Sequence, residues 1–184
     1  MSALLRFSAV ACVRGGRLLF EGLDLTLEPG EALHVKGPNG TGKSSLIRLA
    51  AGLLRPASGL VERGAAAALA DDQLALDREL PLGKALAFWG IEPAEAMIAM
   101  GIGHLGEVPV RLLSTGQARR ARLARVLSSK APLWLLDEPQ NGLDDDGIDR
   151  LGRAIASHRA NGGAVLAASH QPLAAGWRQL ELGQ

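Results

Sequence analysis

The segment Gly-Pro-Asn-Gly-Thr-Gly-Lys-Ser at residues 37–44 restricts the possible folds of this chain more than any other feature. It matches the pattern G-x-x-x-x-G-K-[ST] at every fixed position. A short apolar run at residues 32–35 precedes it, and a helical pattern follows it. A strand, a glycine-rich loop and a helix in this order surround a phosphate chain with backbone N–H groups. The chain is therefore predicted to bind a nucleoside triphosphate.

The side chains of this loop have distinct predicted roles. Lys43 is expected to reach the β- and γ-phosphates, and the Ser44 hydroxyl is expected to bind Mg²⁺. The predicted nucleotide-binding residues are Gly37, Pro38, Asn39, Gly40, Thr41, Gly42, Lys43, Ser44 and Ser45.

Composition narrows the class of protein further. With 184 residues, 47% of them apolar, the chain is long enough for one domain with a substantial core. Its formal charge of +1 argues against a nucleic-acid-binding surface, so no nucleic-acid partner is expected. It has no run of 18 apolar residues, and residues 1–10 lack a signal-peptide pattern, so a cytosolic location is expected. The single cysteine, Cys12, excludes an intramolecular disulfide and is predicted to be buried in a strand.

The rhythm of apolar residues predicts an α/β fold. Residues 4–13 and 17–27 read as strands of an antiparallel layer. Residues 43–54 read as a helix whose packed face is formed by Leu46, Leu49, Ala50 and Leu53. Residues 60–70 are compatible with either helix or strand.

The second half of the chain contains a predicted helical insertion and then returns to the core. Residues 71–112 are rich in Gly and Pro, with helices expected at 83–89 and 92–100. The large apolar residues Phe88, Trp89, Met97 and Met100 are predicted to pack inside this insertion; a docking face for a partner is the less favoured alternative. Strands at 133–136, 164–169 and 179–182, with a helix at 146–160, then indicate a mostly parallel sheet.

Two acids follow a buried strand in the sequence Leu-Trp-Leu-Leu-Asp-Glu at residues 133–138. Behind a phosphate-binding loop, the first acid of such a pair holds Mg²⁺, so Asp137 takes this predicted role. The adjacent carboxylate is directed towards the attacking water, which makes Glu138 the predicted general base.

A second candidate phosphate clamp lies at Leu-Ser-Thr-Gly-Gln, residues 113–117. Ser114 is a predicted N-cap, and Gly116 permits a ligand to approach the backbone at the start of the following helix. The arginines of that helix are predicted to form a solvated face: Arg119, Arg120, Arg122 and Arg125.

These motifs, taken in order with His170 after a strand, resemble the nucleotide-binding domain of ABC transporters. Residues 113–117 resemble the signature motif of that family, with Thr115 in place of the commoner glycine, and residues 141–144 resemble its D-loop. The resemblance implies an α/β fold of the P-loop NTPase class, ABC type: residues 1–70 and 113–184 form the catalytic core and 71–112 a helical subdomain. It also implies a strand within residues 60–70.

The resemblance further implies how the site works. Two copies of the chain would form a head-to-tail homodimer, in which Ser114, Gly116 and Gln117 of one copy cover the ATP on the other. His170 would contact the γ-phosphate as the switch histidine. Gln73, or alternatively Asp72, would contact Mg²⁺. Because the chain has no tyrosine, Arg14 or Arg17 would stack on the adenine.

Linking segments at residues 18–23, 36–40, 49–56, 131–139 and 169–173 are similar to the ATPase subunits of cytochrome c maturation exporters. This similarity implies ATP hydrolysis coupled to transport, integral membrane subunits as partners, and a peripheral location on the cytoplasmic face of the inner membrane. The alternatives are the ATPase of another exporter, a soluble ABC ATPase without transport, and a module that binds ATP without hydrolysing it. No haem-attachment pattern is present.

Overall fold

The computed structural model describes residues 3–173 and 176–183. The strands in chain order are β1 (Leu5–Arg14), β2 (Arg17–Leu27), β3 (Ala32–Lys36), β4 (Ser58–Arg63), β5 (Ala67–Ala70), β6 (Leu133–Asp137), β7 (Ala164–Ala168) and β8 (Arg178–Glu181). The helices are α1 (Lys43–Ala50), α2 (Leu82–Ala87), α3 (Pro93–Ala99), α4 (Thr115–Ser128) and α5 (Asp145–Ala160), with short 3₁₀ turns at Gly103–Leu105 and Val110–Leu112.

The strands form two sheets. An antiparallel sheet has the order β2-β1-β4, and a parallel sheet has the order β5-β6-β7-β3-β8. The predicted antiparallel layer and parallel core are both confirmed. Because parallel strands end at one edge, the loop after β3, the acids after β6 and His170 after β7 meet at the carboxyl edge of the sheet.

The core lies on both faces of the parallel sheet. Along β6, Leu133 and Leu135 pack in the cluster that contains α1 and the antiparallel sheet. Trp134 and Leu136 alternate with them and pack in the cluster with α4 and α5. A strand buried on both faces reads as a continuous apolar run, which is the pattern that predicted it.

One predicted helix is shorter in the structure, and the strand expected within residues 60–70 is divided in two. The first helix ends at Ala50, not at residue 54, and Leu53 is 66% exposed instead of packed. Gly52, with φ +77°, ends the helix: its N–H donates to Leu49 O and the Leu53 N–H donates to Arg48 O. Residues 60–70 contribute to two strands of different sheets, β4 and β5.

The apolar residues of the insertion are divided between its interior and its surface. Met97 and Met100 are 4% and 0% exposed, which confirms internal packing for both. Phe88 is 82% exposed and Trp89 40%, so the prediction was wrong for Phe88. Helix α2 ends at Ala87, one residue before Phe88, so its packed face does not include that ring.

Candidate nucleotide-binding site

The phosphate-binding loop connects β3 to α1, and its last residue before the helix is Gly42. This residue has φ +104°, and a Cβ atom here would come within 3.1 Å of the Phe20 ring. Both the backbone conformation and the close packing therefore require glycine. The sequence pattern predicted the glycine but not its neighbour, although Phe20 is the one aromatic residue of β2.

Lys43 lies within the curve of the loop. Its side chain is buried, and Nζ donates to the carbonyl oxygens of Gly37 at 2.7 Å and Pro38 at 3.0 Å. The Thr41 hydroxyl donates to the same Pro38 carbonyl at 2.9 Å. The Lys43 ammonium group thereby bridges two carbonyl oxygens of the loop, at the position where phosphate oxygens are expected to bind.

Asp137 ends β6 beside the first turn of α1. Burial raises the pKa of Asp137, while a hydrogen bond from Ser44 opposes that increase. Among the described residues, its Oδ1 atom is buried and has no hydrogen-bond partner. A carboxylate oxygen that is buried without a donor is costly, unless a cation is bound there.

Glu138 and His170 are in direct contact at the same edge of the sheet. Glu138 Oε2 accepts a hydrogen bond from His170 Nδ1 at 2.9 Å and a longer one from the His170 backbone N–H at 3.4 Å. The backbone of Glu138 has φ +48°, an uncommon value for a residue with a side chain, and its N–H donates to Ala168 O at 2.8 Å. The structure thus brings together the two residues predicted to act on the γ-phosphate.

A cleft of about 600 Å³ lies beside the two acids at this edge of the sheet. Its lining includes the predicted residues Ser44, Asp137 and Glu138 together with Asn141 of the D-loop segment. The other lining residues are Arg48, Asp72, Leu74, Thr115, Ala118, Arg119 and Arg122. The walls carry both carboxylates and guanidinium groups, as expected of a site for a metal-bound polyphosphate.

The segment after β5 places Asp72 and Gln73 differently. Both residues are exposed, but only Asp72 lines the cleft. The backbone N–H of Gln73 donates to Asp71 Oδ1 at 3.0 Å. Of the two residues left open by the sequence, Asp72 is the one that lines the cleft in this structure.

Ser114 caps α4, as predicted. Its hydroxyl accepts a hydrogen bond from the Gln117 N–H, and the Gln117 side chain accepts one from the Ser114 N–H at 2.9 Å. Ser114 and Gly116 are exposed, and a Cβ atom at Gly116 would meet nothing within 4 Å. The start of this helix is therefore open to an approaching group.

The prediction of a solvated arginine face on α4 was wrong. Arg125 is 7% exposed, donates to Leu69 O at 2.5 Å, and stacks over the Trp89 ring with 4.8 Å between guanidinium carbon and ring centre. Arg122 donates to the Asp71 backbone, and burial lowers the pKa of both residues. Arg119 donates to Gly142 O at 3.1 Å, and Arg120 pairs with Asp144 and Asp146.

The remaining candidates are Arg14, Arg17 and Ser45. Arg14 and Arg17 are exposed and directly opposite each other in the turn between β1 and β2. Ser45 forms a hydrogen bond with Cys12, which is 1% exposed as predicted.

His34 was missed by sequence analysis: it is buried on β3, and its Nε2 lies 3.0 Å from Ser169 O. A polar residue inside the apolar run at 32–35 was the available signal.

Comparisons with known proteins agree with this geometry. The sequence model of the ABC transporter family matches residues 20–141. The cytochrome c biogenesis ATP-binding export protein CcmA of Sphingopyxis alaskensis is 58% identical over 181 residues, covering 95% of this chain and 93% of the relative. The protein of the same name from Novosphingobium aromaticivorans is 58% identical, covering 90% of this chain and 87% of the relative.

Solved structures show the same fold. A putative ABC transporter ATP-binding protein from Pyrococcus furiosus superposes with a TM-score of 0.84 at 20% identity, covering 97% of this chain and 96% of that one. An ATP-binding subunit of an ABC transporter superposes with a TM-score of 0.82, covering 91% of this chain and 79% of that one. The α/β fold of ABC type is thus confirmed, and the chain belongs to the ABC transporter ATP-binding family, in the group of the cytochrome c biogenesis ATP-binding export proteins CcmA.

Proposed function

We propose that this chain binds and hydrolyses ATP as the ATPase subunit of an export complex for cytochrome c biogenesis. The assignment to this export system is supported by the relatives, whose names describe ATP-binding export proteins of cytochrome c biogenesis. The proposal for the chemistry comes from the cleft at the carboxyl edge of the parallel sheet.

One observation carries the chemical proposal: the buried Oδ1 atom of Asp137 has no partner among the described residues, and Ser44 lies beside it. These residues fit Mg²⁺, a cation that takes oxygen ligands and is bound through few carboxylates plus substrate phosphates. Ser44 and Asp137 would hold the ion, with Gln73 still expected from the family resemblance and Asp72 already lining the cleft. When bound, Mg²⁺ offsets the negative charge of the phosphate oxygens.

The protein groups around the γ-phosphate have complementary roles. Lys43, now bonded to two loop carbonyls, would exchange those bonds for bonds to phosphate oxygens, with residues 37–42 and Ser45 enclosing the phosphates. Glu138 would accept a proton from the attacking water while the water oxygen bonds to the γ-phosphorus. The bond between the γ-phosphorus and the oxygen that leaves with ADP then breaks. His170, which contacts Glu138 at 2.9 Å, would donate to a γ-phosphate oxygen. Arg14 remains the proposed support for the adenine.

We further propose that the site is completed by a second copy of the chain. Ser114 and Gly116 are exposed at the start of α4, with open space at Gly116. A helix N-terminus of this kind favours an anion. In a head-to-tail homodimer, Ser114, Gly116 and Gln117 would cover the ATP held by the partner.

The helical subdomain, residues 71–112, is the proposed docking region for integral membrane subunits. At the corner between α2 and α3, the side chain of Phe88 is 82% exposed and that of Ile91 84%. The Trp89 ring contacts the Phe88 ring edge-to-face, with 5.3 Å between ring centres. Exposed apolar residues close together mark interaction surfaces. No helix within the described residues is long and apolar enough to cross a membrane. From the export role named for the relatives, we propose a peripheral location on the cytoplasmic face of the inner membrane.

The test is ATP turnover by the chain together with its co-expressed membrane subunits. Wild-type complex should hydrolyse ATP in the presence of Mg²⁺, and Glu138→Gln should reduce kcat at least about 100-fold. The Glu138→Gln chain with ATP should form a dimer, measured by light scattering, and Ser114→Arg should prevent it. Turnover that is unaffected by Glu138→Gln would contradict the assigned mechanism. Co-purification with membrane subunits of another exporter would contradict the assigned system.

A further inference from the structure

His34 lies on β3, an inner strand of the parallel sheet next to the edge strand β8, and has no role in the proposed ATP chemistry. Its side chain is 2% exposed, and its strand β3 pairs with β7 on one side and β8 on the other. The Trp177 ring packs edge-on against the imidazole, with 6.5 Å between ring centres and 80° between planes. A histidine at such a position costs free energy unless its polar atoms are satisfied.

The polar partner of His34 is the carbonyl oxygen of Ser169, 3.0 Å from Nε2. A carbonyl oxygen only accepts, so Nε2 must carry the proton and donate it. The two residues are 135 positions apart in the chain. This bond therefore connects the strand that leads into the phosphate-binding loop to the segment that leads into His170.

The geometry of the sheet explains why a side chain provides this donor. The Ser169 N–H donates to Val35 O, which continues the ladder between β7 and β3. β3 ends at Lys36, where the chain turns into the phosphate-binding loop. The regular ladder therefore stops before it reaches the Ser169 carbonyl, and a buried carbonyl without a donor is unfavourable.

Ser169 and His170, on either side of this peptide bond, make further hydrogen bonds. The Ser169 hydroxyl accepts from the Gln171 N–H at 3.0 Å, and His170 contacts Glu138 Oε2 through both its ring and its backbone. Rotation of the Ser169 peptide would change the direction of the next residue, His170.

We propose that His34 is a positioning residue, which holds the backbone at Ser169 so that His170 and Glu138 keep their relative orientation for ATP hydrolysis. The inference rests on the proposed function of His170 and Glu138. The hydrogen bond from His34 to the Ser169 carbonyl, here called the tether, is a property of the free chain. His34 does not contact the nucleotide in this account, and its effect is transmitted through Ser169 alone.

The first measurement is amide hydrogen exchange in the nucleotide-free full chain, which does not depend on ATPase activity. His34→Leu removes the donor, so the amides of His170 and Gln171 should exchange about tenfold faster, a ratio equivalent to about 1.4 kcal/mol. His34→Gln retains an N–H donor and should keep exchange within about twofold of wild type. Leu33→Val, on the opposite face of β3, is the control for a general loss of stability.

Unchanged exchange in His34→Leu, or equal acceleration in Leu33→Val, would overturn the tether. If His34→Leu does not fold, His34→Gln provides the test. Faster exchange of the His170 amide in His34→Gln, with an unchanged Tm, would overturn the tether, because this variant retains the N–H donor.

The second measurement is a double-mutant cycle on kcat of the complex with its membrane subunits. His34→Leu should reduce kcat about tenfold with KM for ATP within about twofold, and His34→Gln should restore kcat. In a His170→Ala background, His34→Leu should have no further effect. Additive losses would show that His34 acts through stability and would overturn the positioning role. Altered exchange in a chain whose wild type hydrolyses no ATP would leave the tether intact and contradict the proposed function instead.

Discussion

Asp137 shows how one residue can be unfavourable for folding and necessary for binding. Burial raises the pKa of its carboxyl, and its Oδ1 atom has no partner among the described residues. The ionised form is therefore disfavoured in the folded chain, and this penalty is present at neutral pH.

Asp137→Asn should raise the Tm of the nucleotide-free chain at pH 7 by a few degrees and abolish stabilisation by ATP with Mg²⁺. Because the folded pKa lies above the ordinary 3.8, the wild-type penalty should disappear as pH falls through the folded pKa towards that value. Thermal melts at pH 7 and pH 4, with and without nucleotide, measure both effects. A lower Tm for Asp137→Asn at pH 7 would show that the carboxylate stabilises the free chain.

Buried His34 and half-buried His158 should make stability depend on pH in the opposite sense. Burial lowers the pKa of His34 and His158 below the ordinary 6.5. The unfolded chain therefore binds more protons below that value, so stability is lost as pH falls from 6.5 towards the folded pKa values.

Urea denaturation at pH 7.5 and 5.5 should show a lower free energy of unfolding at the acidic pH. His158→Gln should reduce this difference, because one of the two titrating rings is removed. The reduction should stay below the ceiling of about 1.4 kcal/mol per pH unit for one proton, since His158 is only half-buried. Equal differences in wild type and His158→Gln would exclude His158 as a source.

At the scale of elements, the end of α1 depends on one glycine. Gly52 has φ +77°, and its N–H and that of Leu53 satisfy the last carbonyls of the helix. Arg63 from β4 donates to Ala50 O at 2.7 Å and also to Leu49 O, which already accepts from the Gly52 N–H. The helix that follows the phosphate-binding loop is therefore terminated by local geometry and anchored by the antiparallel sheet.

Gly52→Ala should reduce the free energy of unfolding by about 1 kcal/mol, because an L side chain is strained at positive φ. Gly152→Ala is the matched control: Gly152 lies inside α5, and a Cβ atom there would meet nothing within 4 Å. This control should stabilise the chain by up to about 1 kcal/mol. Urea denaturation of both variants gives the comparison, and two changes of the same sign would contradict it.

At the scale of the whole molecule, the nucleotide cleft and the exposed apolar corner lie on different parts of the chain. The cleft is built from the carboxyl edge of the parallel sheet and α4, while Phe88 and Ile91 lie between α2 and α3. Binding of nucleotide and docking of membrane subunits should therefore be separable by mutation.

Phe88→Ser combined with Ile91→Ser should reduce co-purification of the membrane subunits at least about tenfold. ATP binding by the isolated chain should be unchanged, because both side chains are more than 80% exposed. Leu53→Ser is the control, since Leu53 is an exposed apolar residue outside the insertion, 66% exposed. Equal loss of membrane subunits in the control would exclude a specific surface at this corner.

Several features of this protein could be predicted because they depend on residues close together in the chain. The loop at 37–44, the Ser114 cap and the acid pair after β6 each follow from a few neighbouring positions. The alternation of strands and helices predicted the parallel sheet, which brings three strand ends to one edge.

The errors occurred where distant segments meet. The arginines of α4 were predicted to form a solvated face, as helix arginines usually do. Arg125 is instead buried and Arg122 half-buried, and they donate to the backbone carbonyls of residues 69 and 71. The composition of residues 60–70 left helix and strand open, and the structure divides them between β4 and β5, which belong to different sheets. Periodicity describes one segment and contains no information on its neighbours in space.

The sequence by itself determined that this chain binds a nucleoside triphosphate, because the motif at residues 37–44 specifies its own backbone conformation. Only the tertiary structure decided which groups face that ligand. Asp72 lines the cleft and Gln73 does not, and His34 donates to the carbonyl of Ser169, 135 positions away and next to His170. The physical reason is that hydrogen bonds between distant segments depend on how the sheet is assembled, which local residue patterns do not encode.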